Sequence, residues 1–484
     1  MHAFALGFAL APPTNLKERM ARTCIICGKV AGSAEHVFPA ALGGRRKNKS
    51  IYCDKHNNAY SGLVSRLSTQ FEALNAYLGV RPDRHDKPKS ATGIDQATGL
   101  PISYSVNGVT STEPRLMAEV ENEDGSKTRH MRFSNRAAAE KYVAERQAAG
   151  EIITLGRELP GQLLLGEAQF KTNFGGPEGL RAIAYILQTY FAQHFGDLAR
   201  ANALDALKEY TLGGEGDAFV WWDFNPPHDY PPNKFEFGHR IAVGVDPATG
   251  TIFGRISLFS TLHFAAELGF VETIADRPSE ATVIDIDPLA EHPPNDIFEQ
   301  KLSAQALAPL RPENLTSKLG ESIHSGEGQA SLHLLIGKMQ EHVARRAALD
   351  IVERLNQSAA HPESLDRLLE DLRTELIQRV FNLLRFAITG LAVQAGMEPF
   401  KHVLNALVEI DPTSANGLSP QASAALHIAQ AALIAKLKEE FQAGSLTPEM
   451  AYELIAAGPG AHVVGEAVLR PFIEQLSNMR FDSK

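Results

Sequence analysis

Cysteine is nearly absent, with three residues in 484. That excludes a disulfide-stapled scaffold, which needs a dense and paired set. No stretch of 18 consecutive apolar residues occurs, so no segment reads as a transmembrane helix. The apolar start, residues 1–13, has no Lys or Arg ahead of it, and Lys17, Glu18 and Arg19 follow it instead. A secretory signal has the opposite order. Residues 1–19 are therefore expected to be a flexible leader, with Met20 as an alternative start, and the expected location is the cytoplasm. Internal repeats and low-complexity tracts are also lacking. What is present is ordinary for a globular chain: 44% hydrophobic and 21% charged residues, which excludes disorder throughout. The length allows two or three domains and a large core.

The net charge of −10 is unevenly spread. Residues 1–90 hold 14 Lys and Arg against 6 Asp and Glu, a balance of +8, which leaves −18 for the rest. A basic piece on an acidic body points to a polyanion as partner of the basic piece. The Pro- and Lys-containing stretch at 81–90 reads as the linker that ends it.

Periodicity divides the remainder. Over 91–295 the pattern is mixed α+β. Asp124-Gly125 inside Ala118–Phe133 predicts a hairpin, and Ser134–Ala149 predicts a helix capped near Asn135. Gly179–Phe195 predicts a helix, and Arg240–Val245 and Thr251–Phe259 predict strands joined by a turn at 246–250. Over 296–484 a helical bundle is expected. One apolar stripe runs through Ile336, Met339, Val343, Ala347, Ile351 and Leu355, and a second through Leu365, Leu368, Leu372, Leu376, Val380 and Leu384. Ser419-Pro420 and Thr447-Pro448 read as N-cap and first-turn pairs, and Gly458-Pro459-Gly460 as a helix stop. This body is expected to fold without the first 90 residues, and its helical face to offer an oligomer contact.

All three cysteines fall within thirty residues, as Cys24-x2-Cys27 and then Cys53-x2-His56. Two short knuckles of thiolate and imidazole ligands suit a tetrahedral zinc ion, so a structural Cys3His zinc site is expected. A thioredoxin-like role for Cys24 and Cys27 lacks the surrounding βαβ pattern.

Between the knuckles stand Glu35-His36, Pro39, Gly43-Gly44 and Asn48, and Asn57 follows the second knuckle directly. Over residues 22–80 this arrangement resembles the zinc-carrying branch of the HNH endonucleases, the ββα-metal nucleases. It departs from the usual pattern in having His56 for a fourth cysteine and Glu35 for the commoner Asp. The resemblance implies a zinc-stapled ββα-metal module; joined to the patterns read above, it makes the expected fold an α+β multidomain chain with a mixed α/β middle and an all-α C-terminal bundle. It implies hydrolysis of DNA phosphodiesters, with RNA left open, and often a part in bacterial defence. It further implies Glu35 and Asn57 as ligands of Mg²⁺ or Mn²⁺, with Asn58 as the alternative if the register slips by one. His36 would be the general base, a role that suits an imidazole near neutral pH. Asn48 would hold the hairpin loop or orient His36, and Arg45, Arg46, Lys47 and Lys49 would contact phosphates. Neighbours on a regular strand point to opposite faces, so Glu35 and His36 need a distorted hairpin to share one cleft.

Two other readings stand beside this one. The module can be a degenerate ββα fold that binds nucleic acid or a protein without cutting. Alternatively the C-terminal part is the main actor and the zinc module targets it. Ala59–Leu78 is expected to be the helix of the ββα unit. His228, Asp229, Glu236 and His239 form a weaker candidate metal cluster. Trp221-Trp222 is read as core before base-stacking.

Overall fold

In the computed structural model the described residues are 22–83, most of 90–153, 168–169, most of 175–312, 325–358 and 420–458, with isolated positions at 365–372, 461, 462 and 470. The expected leader and the second C-terminal stripe beyond Leu372 lie outside them. The chain is mixed α+β. A two-residue hairpin, β1 (Glu35–His36) and β2 (Lys47–Asn48), is followed by α1 (Asp54–Ala59), α2 (Ser61–Gln70) and α3 (Glu72–Leu78). The expected single helix over Ala59–Leu78 thus begins earlier and is broken at Tyr60 and Phe71, both buried aromatics.

The next strands are β3 (Ala91–Asp95), β4 (Pro101–Ser105) and β5 (Gly108–Ser111), then β6 (Arg115–Glu121) and β7 (Lys127–Arg132). The last two pair antiparallel, as expected of a hairpin over Ala118–Phe133, while Asp124-Gly125 itself lies outside the described residues. They are followed by α4 (Arg136–Ala148), which buries no residue, and β8 (Ala168–Gln169), which joins β3.

Helix α5 (Gly176–His194) is apolar around most of its circumference, and every residue from Ala182 to Ala192 is buried. A helix without a polar face needs cover on all sides. On one side it packs against α2 of the N-terminal module, and on the other against the main sheet. Short helices α6 (Gly196–Arg200) and α7 (Asp205–Thr211) follow. The sheet is antiparallel with six strands: β9 (Val220–Trp222), β10 (His239–Val245), β11 (Thr251–Leu258), β12 (Leu262–Phe270), β13 (Glu280–Ile286) and β14 (Ile297–Ser303). Their spatial order is β14-β13-β10-β11-β12-β9.

Alternation assigns the two faces of this sheet. Ile241, Val243 and Val245 join Ile252, Ile256 and Leu258 in the core shared with α5. Gly254 makes room there, since a Cβ would come 2.8 Å from Leu187. On the reverse face Ala242, Phe253, Ala281 and Val283 pack beneath α8 (Ala304–Leu307). Arg240 and Asp285 are cross-strand partners on that face and form a buried bidentate pair at 2.5 and 2.6 Å. The guanidinium also donates to the carbonyls of Pro231 and Pro232. The proline-rich loop is thereby pinned to the sheet. Trp221 and Trp222 lie on β9, buried, with Trp222 against Phe264, which is the core role expected of them.

The same apolar core contains Phe38, Tyr52, Tyr60 and Phe71 from the N-terminal module, and Leu335 and Met339 from the helix Gly326–Ser358. The expectation of a body whose core uses none of the first 90 residues therefore fails. Strand β14 also extends past residue 296, so the helical part begins only at Ala304. Of the first stripe, Met339, Ala347, Ile351 and Leu355 are buried. Helices Pro420–Gln442 and Pro448–Ala457 follow the proline signals, and the Thr447 side chain accepts a hydrogen bond from Met450 N.

The tight turn from β11 to β12 places Phe259 and Ser260 at φ +52° and +55°. Hairpin turns of this hand need positive φ at both central residues and usually employ Asn or Gly. Here the side chain of Phe259 is buried against His239, and Phe259 N donates to His239 Nδ1 at 3.3 Å. That bond requires a neutral imidazole, and burial lowers the His239 pKa to about 3.

Two outcomes follow from this packing. Leu187→Ala opens a cavity between α5 and the sheet and should destabilise the protein by about 2–5 kcal/mol in chemical denaturation. Because the folded pKa of His239 lies below its unfolded value, its contribution is complete above about pH 6.5 and is lost as pH falls towards 3. Denaturation midpoints should drop through that window, and more shallowly in His239→Leu.

Candidate metal centre and hairpin site

Each of the two cysteine knuckles is shaped by its own backbone. Cys24 O accepts from Gly28 N at 2.9 Å, and Gly28 adopts φ +67° to close the turn. Cys53 precedes α1, and its carbonyl accepts from His56 N and Asn57 N. One turn of helix thus brings Cys53 Sγ and His56 Nδ1 to 3.3 Å. Cys24 Sγ lies 3.6 Å from His56 Nδ1, and Cys27 Sγ 3.8 Å from Cys53 Sγ. All four ligand atoms fall within 4.8 Å of one another. Metal–sulfur arms of about 2.3 Å on a tetrahedron give S···S edges of about 3.8 Å, so the cluster can hold one zinc ion. The backbone N–H of His56 lowers the Cys53 pKa, and burial lowers that of His56. These two shifts favour the deprotonated forms that bind metal, whereas burial raises the Cys27 pKa. This is the one metal-ligating cluster among the described residues. His228 and Asp229 of the weaker candidate cluster lie outside them, and His239 is a core residue between Phe38 and Phe259.

The knuckles are tied to the body. Arg200 Nε donates to Thr23 O and Nη2 to Ser50 O, at 3.0 and 2.8 Å, beside the first and second knuckle. Tyr52, next to Cys53, meets Thr189 Oγ1 at 2.9 Å, and Gln188 donates to Tyr52 Oη at 3.1 Å. Tyr60 stacks on Tyr185, with ring centroids 4.2 Å apart, and its hydroxyl meets Thr211 at 3.2 Å. No sequence signal pairs these residues, because they lie over a hundred positions apart.

The hairpin sets Glu35 opposite Asn48 and His36 opposite Lys47. Asn48 Oδ1 accepts from Ser50 N at 2.7 Å, which closes a turn just after β2 and outside the loop that joins the two strands. Close packing fixes the approach to β2: a Cβ at Gly44 would sit 2.1 Å from Phe38 O. Glu35 and His36 engage different partners. Tyr185 Oη donates to Glu35 Oε1 at 2.6 Å, whereas His36 Nε2 lies 3.1 Å from Asp83 Oδ2. Burial raises the Glu35 pKa to about 7, although the Tyr185 bond opposes the shift. Asn57 falls inside the first turn of α1, and its buried Oδ1 has no hydrogen-bond partner. No hydrogen bond joins Glu35, His36 and Asn57 to one another among the described residues.

The basic loop is largely paired. Arg45 donates to Ala290 O and lies 3.8 Å from Asp296. Arg46 meets Glu299 at 2.5 Å, and Lys47 meets Asp83 at 2.5 Å. Lys49 is exposed. Asp83, assigned from sequence to a linker, is thus part of the hairpin site.

No family model matches the chain, and neither a curated protein nor a solved structure matches it. No described helix is long and apolar enough to cross a membrane.

Purified protein should contain about one zinc per chain by elemental analysis, and Cys53→Ser or His56→Ala should lose it. Because the knuckles bond to α5 and Arg200, chelation should also lower the melting temperature of the whole molecule, not only of residues 22–83.

Proposed function

We propose that the N-terminal module is a metal-dependent HNH-type endonuclease that hydrolyses phosphodiester bonds of DNA, on a structural zinc frame. The observation that carries this reading is the pairing of Glu35-His36 with Lys47-Asn48 in a hairpin followed by α1, the helix that bears His56 and Asn57. This is the order of elements that the motif demands.

Two side chains of this module offer oxygens to a cation. Glu35 carries a carboxylate that burial disfavours, and Asn57 a buried Oδ1 without a donor. A cation relieves both, and hard oxygen donors of this kind suit Mg²⁺ or Mn²⁺. Bound there, such an ion would neutralise phosphate charge and stabilise the leaving oxygen. Glu35 and Asn57 then serve as its protein ligands, with Tyr185 orienting the Glu35 carboxylate through the 2.6 Å bond. His36 takes the proton from the attacking water. Asn48 shapes the exit from β2 towards the second knuckle through its bond to Ser50 N.

Phosphate contacts need cations that can leave their present partners. The Arg46 pair is substantially exposed, at 40% and 34%, and exposed pairs contribute only about 0–1 kcal/mol. Arg46 and Lys49 can therefore turn to a phosphodiester. Arg45 is 12% exposed beside a buried Asp296 and also holds Ala290 O. It is a structural pin.

The same ion pairs favour a second reading, a non-catalytic module that docks intramolecularly or binds a partner. Cleavage of supercoiled plasmid separates the two. The nuclease should nick DNA with Mg²⁺ or Mn²⁺ and not with chelator. His36→Ala should reduce the rate by about 10²–10⁴-fold while retaining zinc and DNA binding. Equal, metal-independent background from wild type and His36→Ala would leave only the binder.

A further inference from the structure

We infer that Asp83 is the positioning residue of the hairpin site, fixing the ring of His36 so that Nδ1 is the nitrogen that accepts a proton. The inference rests on the nuclease reading of His36 and adds to it a residue outside the motif, beyond the last helix of the module.

Local structure places Asp83. Helix α3 ends at Gly79, which takes φ +76°, and Val80 N returns to Asn75 O at 2.9 Å. Val80 is buried, and Asn75 Nδ2 donates to Ala41 O at 3.1 Å, so the chain leaves α3 anchored against the loop between β1 and β2. Three residues after Val80, Oδ2 of Asp83 lies 3.1 Å from His36 Nε2 and 2.5 Å from Lys47 Nζ. His36 and Lys47 face each other across the hairpin. One carboxylate oxygen therefore spans the cross-strand pair and ties both strands to the end of the module.

The chemistry of the contact assigns the proton. An ionised carboxylate only accepts hydrogen bonds. Lys47 holds Asp83 in that form, and its hydrogen bond is the foremost cause of the lowered Asp83 pKa. Nε2 must then carry the hydrogen, and the neutral ring offers Nδ1 as its basic nitrogen. A carboxylate behind an imidazole fixes tautomer and orientation in this way, and stabilises the imidazolium once the proton has moved. With 17% and 18% of their side chains exposed, His36 and Asp83 lie at the border of solvent. A water can reach the ring while the carboxylate remains in place. The opposite possibility is that Asp83 masks His36 and must leave before catalysis. The two differ in the sign of one measurement.

That measurement compares wild type, Asp83→Asn, Asp83→Glu and His36→Ala, each as the full chain with zinc. Plasmid cleavage is followed with Mn²⁺, and the His36 ring by ¹⁵N NMR of histidine-labelled protein, assigned by difference from His36→Ala. Positioning predicts that Asp83→Asn lowers kcat by between about tenfold and 10⁴-fold, with KM and zinc content unchanged. It predicts partial recovery in Asp83→Glu. The His36 signals should move from a single Nε2–H tautomer in wild type to a mixture in Asp83→Asn. Cleavage by Asp83→Asn at or above the wild-type rate overturns the proposal and makes Asp83 a mask. An unchanged ring signal overturns it as well. Failure of the nuclease reading shows separately, as wild type no faster than His36→Ala, and removes the catalytic role from Asp83 with it.

Discussion

Helix α5 has no face for water, and the architecture follows from covering it. From Ala182 to Ala192 every residue is buried, an apolar load that a single sheet face cannot enclose. The six-stranded sheet takes one side and the small N-terminal module the other. The module is too short to hold much core of its own, with strands of two residues and helices of six to ten. Its Phe38, Tyr52, Tyr60 and Phe71 complete the core around α5 instead. The dependence is mutual, so the Cys3His module and the sheet share one core.

Polar groups at this junction make it specific. Tyr52, Tyr60, Gln188, Thr189 and Thr211 form a buried network in which hydroxyls and amide find partners. Buried polar groups are costly unless satisfied, and satisfied ones admit few alternative packings. The network also reaches the hairpin, because Tyr185, stacked on Tyr60, donates its hydroxyl to Glu35. The position of a proposed metal ligand is thus decided by a helix 150 residues further along the chain.

Charge tells a related story. The basic excess of the first 90 residues was legible as a polyanion signal, yet part of it meets carboxylates of the same chain: Asp83, Asp296 and Glu299. Solvent exposure separates the pairs. A buried pin such as Arg45 serves the fold, whereas an exposed pair such as Arg46–Glu299 contributes little to it.

Short-range patterns in the sequence determined much on their own. Cys24-x2-Cys27 and Cys53-x2-His56 converge because each knuckle is one turn of backbone, and the twenty-five residues between them need only double back once. The hairpin over Ala118–Phe133, the strands at 239–245 and 251–258, and the caps at Thr447 and Pro448 rest on equally local rules. Only the tertiary structure decided which surfaces meet. It broke the expected helix at Tyr60 and Phe71, drew β14 into the sheet past residue 296, and merged an expected independent module with the body's core. It also turned Asp83 from linker into partner of His36. Local spacing records whether a side chain lies on an apolar face, but not which distant face covers it. That choice depends on shape and on the satisfaction of buried polar groups, and neither has a period in the sequence.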